Sequence, residues 1–303
     1  MIAIFGHGFG LYGHLPALAE LGHDIYLPLR YRPAFDERAE LETYRSTVHF
    51  IDDEATLLSK AKLAVLVRRP ADNEAIARQA ATTSLPPQLV IEKPLATTPQ
   101  AALALDSALR EAHVRYATPY LFAYCDWARN CENRIRAGQG VEITLDWYFN
   151  SPKTTESWKA KPEDGGGPLN YYFIHVIALA GFFLGDYRLV ECWANSEGRG
   201  RKIRMTAVSG APRFAATFCT GTVDSNFSVA IDGVIAYNAE TPFGDVPRRG
   251  DRDPRINVLK RFYASEVFCE DADPVAAERG RQTLKCWAEV VGRLRHENTR
   301  ADQ

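Results

Sequence analysis

The chain has 303 residues, 46% of them hydrophobic and 24% charged, with a net charge of -2. Two domains are expected at that length, and the near-neutral charge argues against a protein built to grip nucleic acid or an anionic membrane. The six cysteines (Cys125, Cys131, Cys192, Cys219, Cys269 and Cys286) are scattered without a Cys-x-x-Cys pair, which fits free thiols in a reducing compartment and no metal site.

The N-terminus lacks a basic run followed by an apolar stretch, so no secretory signal is expected and the protein is assigned to the cytoplasm. Ile2 to Phe5 reads as a buried strand. It feeds into Gly6-His7-Gly8-Phe9-Gly10-Leu11-Tyr12-Gly13-His14 and then a helix, with Leu15, Leu18 and Leu21 on one face and Gly22 as its stop. Strand, glycine turn and helix are the context a dinucleotide fingerprint needs, because glycines let the backbone approach a pyrophosphate. Gly6 and Gly8 fill the first two positions, but the third is Leu11. A second frame, Gly8, Gly10 and Gly13, meets the spacing two residues later. We read Gly6 and Gly8 as the turn, with Phe9 beside the cofactor and Gly10 and Gly13 allowing close approach.

The second strand, Asp24 to Leu29, runs into Arg30-Tyr31-Arg32. An NAD site usually ends this strand in an acid that takes the ribose hydroxyls. Arg30 and Arg32 without an acid suit a 2′-phosphate instead, so NADP(H) is favoured and NAD(H) is the second choice; the alternative is a pair of solvated loop charges. Val48 to Ile51 and Leu63 to Val67 read as strands flanking a short helix over Glu54 to Ala61. Arg68-Arg69-Pro70 then opens a loop expected to border the cofactor through Arg69 and Pro70, before a helix over Ala71 to Ala81. The strand Gln88 to Ile91 ends in Glu92-Lys93-Pro94. Pro94 has no N–H to donate and stops the strand, which leaves Lys93 at its carboxyl end, where an open α/β sheet binds ligands. A lysine there can hold a phosphate, pair with an acid or move a proton; it can also be a plain surface lysine. A helix over Pro99 to Ala112 and a strand over Val114 to Ala117 complete an alternation that predicts a doubly wound, mostly parallel sheet.

A helix over Cys125 to Arg136 leads out of that half. Val141 to Phe149 alternates as a strand, and Ser151 to Gly167 reads as a polar loop. Leu169 to Leu184 reads as one buried helix; its apolar run from Phe173 is interrupted by His175 and Gly181 and is too short to span a bilayer. Strands follow over Val190 to Asn195, Lys202 to Val208, Phe214 to Cys219, Phe227 to Ile231 and Val234 to Tyr237, with Asp232-Gly233 as a tight hairpin turn. Such a series predicts a meandering, open antiparallel sheet. Pro242 to Pro254 reads as a loop, and helices near Ile256 to Cys269 and Pro274 to His296 close the chain.

Together these segments resemble the Gfo/Idh/MocA family of nicotinamide-dependent oxidoreductases. The glycine turn followed by His14-Leu15-Pro16-Ala17-Leu18 is similar to that family's opening, and Glu92-Lys93-Pro94 matches its most recognisable motif. Trp158-Lys159, then Gly165-Gly166-Gly167-Pro168-Leu169 through His175, look like its second-domain signature. The resemblance covers nearly the whole chain, in the right order. It implies an NAD(P)-binding Rossmann domain over 1–120, with Glu92 and Lys93 at the cofactor. Over 121–303 it implies an α/β domain with an open, mainly antiparallel sheet, whose last helices can pack back on the first domain. That sheet is the expected contact in a homodimer or homotetramer. The substrate is implied between the domains, with the nicotinamide near Lys93 and His175. Two departures stand out: Tyr171 takes the place of an aspartate four residues before the histidine, and Ala178 that of an acid three residues after it.

Hydride transfer at a carbon bearing oxygen or nitrogen needs a partner proton transfer. His175 and Lys93 are the candidates for it. Tyr171, one helical turn before His175, is a candidate replacement for the missing carboxylate, or else packs the domain junction with Tyr172 and Phe173. Trp158, Lys159 and Asn170 are candidate substrate contacts. The expected activity is that of an oxidoreductase acting on a sugar, a nucleotide sugar or a related carbonyl or imine metabolite. Alternatives are a nucleotide-binding sensor that turns nothing over, and an epimerase or lyase that uses the cofactor transiently.

Overall fold

The computed structural model describes residues 1–138, 140–150, 157–197, 200–244, 246, 252–269 and 274–301. The loops expected over 151–167 and 242–254 therefore lie partly outside the described residues. In chain order the first elements are β1 (Ile2–Phe5), α1 (Leu15–Ala19), β2 (Ile25–Pro28), α2 (Arg32–Asp36), β3 (Val48–Ile51), α3 (Glu54–Lys60), β4 (Leu63–Leu66) and α4 (Pro70–Ala81). They continue with β5 (Gln88–Ile91), α5 (Pro99–Glu111), β6 (Tyr116–Ala117), α6 (Asp126–Arg136), β7 (Glu142–Phe149) and α7 (Ile174–Leu184). The rest are β8 (Arg188–Glu197), β9 (Gly200–Val208), β10 (Arg213–Thr220), β11 (Asn226–Ile231), β12 (Val234–Ala239), α8 (Arg255–Phe262) and α9 (Pro274–Ala301).

These elements form two compact units. The first comprises Met1–Thr97, Ala101–Leu121 and Val246–Ala276; the second comprises Thr98–Gln100, Phe122–Asp245 and Ala277–Gln303. The first unit holds a sheet in the order β3-β2-β1-β4-β5-β6, parallel throughout. β1 and β4 are apolar at every position and, like the last three residues of β5, buried, as a sheet covered on both faces requires. The strand order reverses between β1 and β4, so the crevice for a ligand opens at the carboxyl ends of those two strands. Leu15 and Leu18 of α1 are buried as the periodicity predicts, whereas Leu21 is only half-buried because the helix ends at Ala19. The strand expected over Val114 to Ala117 is reduced to Tyr116 and Ala117. Helix α8 packs on α1, so residues more than two hundred positions apart share one core.

The second unit holds a sheet in the order β12-β11-β7-β10-β9-β8. All of its pairings are antiparallel except β7 with β10. The meander expected from the series of strands holds for β8 to β10 but breaks there: β11 crosses to the far side of β7. Alternate residues Ile143, Leu145 and Trp147, Phe214, Ala216 and Phe218, and Phe227, Val229 and Ile231 are buried on one face. Helix α7 covers part of that face over β10. The other face is open, with Thr144, Asp146, Trp193, Arg204 and Thr217 lining a shallow depression. At the hairpin, Asp232 and Gly233 both have positive φ (50° and 77°), as a two-residue turn demands. The Asp232 carboxylate also accepts from the N–H groups of Val141 and Glu142 at the start of β7, and these bonds hold it below the usual carboxylate range.

The single helix expected over Leu169 to Leu184 is two structures, a wide π turn over Pro168–Phe173 and then α7. The segment Pro162–Leu184 has the length and hydropathy of a bilayer span, yet every α7 residue except Phe182 is buried within the unit. It is a core helix.

Candidate functional site

The glycine turn lies where β1 leaves the sheet beside β4. Gly6 has φ +152°, and a Cβ there would stand 2.4 Å from the carbonyl oxygen of Val67, so only glycine lets β1 turn this close to β4. Gly8 is exposed, and a Cβ on it would meet nothing within 4 Å: the space above it is open on the ligand side. Its carbonyl accepts from Leu11 N–H at 2.9 Å and starts the helical turn. A Cβ on Gly10 would stand 3.1 Å from Ile4 of β1, and one on Gly13 would run into the Phe9 ring, so both serve close approach. Phe9 is folded back on Gly13 and covered by Arg255, whose guanidinium sits 4.2 Å from the ring centre and pairs with Asp253. The fingerprint's third glycine position, Leu11, is a fully buried core residue. A turn with free backbone beside one open glycine fits a dinucleotide pyrophosphate.

At the end of β2 the structure adds an acid that the local sequence lacks. Glu54, the first residue of α3, accepts from Arg30 at 2.7 Å and from Arg68 at 2.7 Å through the same carboxylate oxygen. The two-arginine rim therefore carries its own counter-charge from another strand's loop. Arg68 also donates to Tyr31 Oη at 2.9 Å and lies near the rings of Phe5 and Tyr31. Burial alone would lower the Arg68 pKa, but the bond to Glu54 and the neighbouring acidic groups outweigh it and raise it. The buried Asn73 amide ties down the Arg68 backbone, accepting from its N–H at 2.9 Å and donating to its carbonyl at 3.3 Å. Arg32 stacks over Phe50, 4.8 Å from the ring centre. Arg69 is exposed and caps α4, while Pro70 is buried at that helix's first position.

The Glu92-Lys93-Pro94 bend is anchored from within. Glu92 Oε1 accepts from His14 Nε2 at 3.0 Å, and Glu92 Oε2 accepts from the Lys93 backbone N–H at 3.2 Å. His14, fully buried, reaches Tyr263 Oη through Nδ1 at 2.6 Å. A carboxylate only accepts, so Nε2 carries the proton; in the neutral imidazole the phenol then donates to Nδ1. Burial, and then the Glu92 charge, push the Tyr263 hydroxyl well above its ordinary pKa, so it stays a donor. Tyr120 is raised by the same two causes. The peptide between Lys93 and Pro94 is cis. Sequence reasoning singled out Glu92 and Lys93 but missed His14 and Tyr263 as partners. A histidine immediately before α1, buried where the apolar neighbours Leu11 and Leu15 are buried, was the available signal.

In the second unit the triple glycine has a steric cause. Gly165 and Gly167 have positive φ (82° and 81°), and a Cβ on Gly166 would stand 2.1 Å from the carbonyl oxygen of Trp158. The turn carrying Trp158 and Lys159 packs directly on these glycines and comes to lie beside Tyr171. The Trp158 and Tyr171 rings meet edge to face at 5.4 Å, and the Lys159 ammonium is 5.4 Å from the Tyr171 ring centre. Three of the predicted residues thus form one cluster. The regular helical turn expected between Tyr171 and His175 does not hold, because the π turn over Pro168–Phe173 closes its hydrogen bonds one residue later than an α-helix. His175 is buried and stacks on Phe122 at 4.5 Å. Both ends of the Asn170 side-chain amide have partners inside the unit: Oδ1 accepts from Trp287 Nε1 at 3.1 Å and Nδ2 donates to Pro162 O at 3.3 Å. Asn170 is thus a tie between segments, which its sequence position did not disclose.

Comparisons with known proteins agree with this architecture. Residues 1–120 match the model of an oxidoreductase family with an NAD-binding Rossmann fold. No curated protein matches the chain by sequence. Among solved structures, a probable dehydrogenase from Thermotoga maritima superposes with TM-score 0.74 at 12% identity, covering 98% of this chain and 97% of that one. The WlbA dehydrogenase from Bordetella pertussis, solved with NADH and UDP-GlcNAcA, gives TM-score 0.72 at 15% identity, covering 97% and 95%. A myo-inositol dehydrogenase from Corynebacterium glutamicum gives 0.69 at 12%, covering 98% and 96%. At such identities the likeness establishes the fold. Residues 1–120 of this chain thus match the NAD-binding Rossmann domain of the Gfo/Idh/MocA oxidoreductases.

Proposed function

We propose that the protein is an oxidoreductase that uses NADP(H) in preference to NAD(H) on a small polar metabolite. A sugar, a nucleotide sugar or a related carbonyl or imine compound fits best. The observation that carries the reading is the Gly6–Gly8 turn at the point where strand order reverses, with open space at Gly8 and an arginine rim at the end of β2. The Gly8 backbone would take the pyrophosphate, and Arg30 with Arg32 the 2′-phosphate. When bound, the nicotinamide supplies or accepts the hydride.

The chain's own groups handle the proton and the developing charge. Lys93, placed at the end of β5, orients a substrate oxygen and stabilises negative charge on it; His175 gives or takes the proton, since an imidazole nitrogen can do either. Tyr171 is the third candidate, with the Lys159 ammonium lying against its ring. A Tyr171→Phe protein with unchanged kcat and KM would exclude the phenol from the reaction. The sugar class is supported by structural relatives named as a myo-inositol dehydrogenase and as dehydrogenases solved with UDP-GlcNAcA. The six free cysteines fit a reducing cytoplasm, and the open face of the second sheet fits self-association into a dimer or tetramer.

The test is a titration of the purified protein with NADPH and NADH, following nicotinamide fluorescence. NADPH is expected to bind more tightly, and Arg30→Ala/Arg32→Ala to lose that advantage by about tenfold or more. A screen for NADPH consumption with carbonyl and imine metabolites then identifies the substrate. Binding without turnover of any substrate would favour a sensor, and turnover without net consumption a transient use of the cofactor.

A further inference from the structure

We propose that Glu54 is a specificity-determining residue that limits the preference for a 2′-phosphorylated dinucleotide, by acting as a tethered counter-anion for Arg30 and Arg68. The inference rests on reading the crevice at the end of β2 as the dinucleotide site. One oxygen of Glu54 lies 2.7 Å from both guanidinium groups, so the arginine pair already holds one oxyanion between its members. That is the task a 2′-phosphate would set it.

The two arginines are held very differently. Arg68 is 16% exposed, bonded to Tyr31 Oη and backed by two rings, with its backbone pinned by Asn73. Arg30 is 59% exposed; it pairs with Glu54, and its guanidinium lies 5.4 Å from the Tyr31 ring centre. An exposed ion pair is weak and salt-sensitive. An incoming phosphate can therefore draw Arg30 away while Glu54 stays with Arg68. The carboxylate then remains beside the phosphate and repels it. Arg30, Arg32 and Arg68 against Glu54 leave a formal charge of +2 on this rim, and removing the carboxylate would leave +3. A cofactor lacking the 2′-phosphate feels little of this difference. The acid absent from the end of β2 is thus supplied from the start of α3, where it tempers discrimination.

The experiment compares the Kd of NADPH and NADH for the full chain and for Glu54→Gln, at low and at moderate salt. Glu54→Gln is expected to tighten NADPH about five- to tenfold, to change NADH less than about twofold, and to steepen the salt dependence of NADPH binding alone. Weaker NADPH binding in Glu54→Gln, or an equal change for both nucleotides, overturns the inference while leaving the cofactor site intact. Glu54→Asp keeps the charge and should stay within about twofold of the unaltered ratio; a tenfold shift there shows that charge is not the cause. Failure of the unaltered protein to bind either nucleotide removes the site reading itself, and this inference with it.

Discussion

Gly6 and Gly8 are two residues apart and demand glycine for opposite reasons. Gly6 is fixed by packing, because its Cβ would collide with the Val67 carbonyl. Gly8 is free of any protein neighbour there. Gly6→Ala should therefore destabilise the first unit by about 2–4 kcal/mol, seen as a lower urea midpoint. Gly8→Ala should fold normally and still weaken NADPH and NADH by about tenfold or more, since the methyl group would occupy the space proposed for the pyrophosphate. Loss of stability without a selective loss of binding in Gly8→Ala would refute that division of labour. The sequence motif made both glycines legible as a pair, yet spacing cannot say which of them faces a ligand. It also could not disclose Glu54, which lies in a different strand's loop and meets Arg30 only through the sheet.

At the scale of elements, the bend after β5 is held by a chain of hydrogen bonds that enters from His14, just before α1, and from the turn after α8. The motif Glu92-Lys93-Pro94 and the strand before it were legible, because an apolar run ending in proline has few other readings. The anchor was not, since Tyr263 sits in a helix that periodicity alone would assign to packing. Tyr263→Phe keeps the ring and removes the donor to a buried imidazole, so it should cost the first unit about 1–3 kcal/mol and leave the fold intact. Unchanged stability in a urea titration would mean that the bond contributes nothing net. The wide turn over Pro168–Phe173 was equally hidden: its residues have ordinary helical character, and only the steric demand of Trp158 on Gly166 shows why the segment starts where it does.

For the whole molecule, the alternating first half and the strand-rich second half were legible from hydrophobic period, whereas the crossing of β11 over β7 and the return of α8 to the first unit depend on long-range pairing. The two units also carry different alkaline sensitivities. In the second unit burial pushes Cys131 up to about 11, and burial chiefly pushes Cys286 up to about 11, both from 9.0. A folded-state pKa above the unfolded value means that the folded form holds its proton longer. Stability is then intact below about pH 9 and falls as pH rises towards 11, by at most about 3 kcal/mol for each thiol. In the first unit Tyr120 and Tyr263 are raised from 10.0, so its loss begins about one unit higher. All five tryptophans (Trp127, Trp147, Trp158, Trp193 and Trp287) belong to the second unit, so their fluorescence reports that unit alone. Urea midpoints from tryptophan emission should decline from about pH 9; a flat emission midpoint up to pH 11 would contradict the raised thiols. The link between His14 and Tyr263 also spans 249 positions. A ribosome adding 5–20 residues per second needs roughly 12–50 s to make that stretch. The parallel sheet, although encoded first, gains this bond only after that interval.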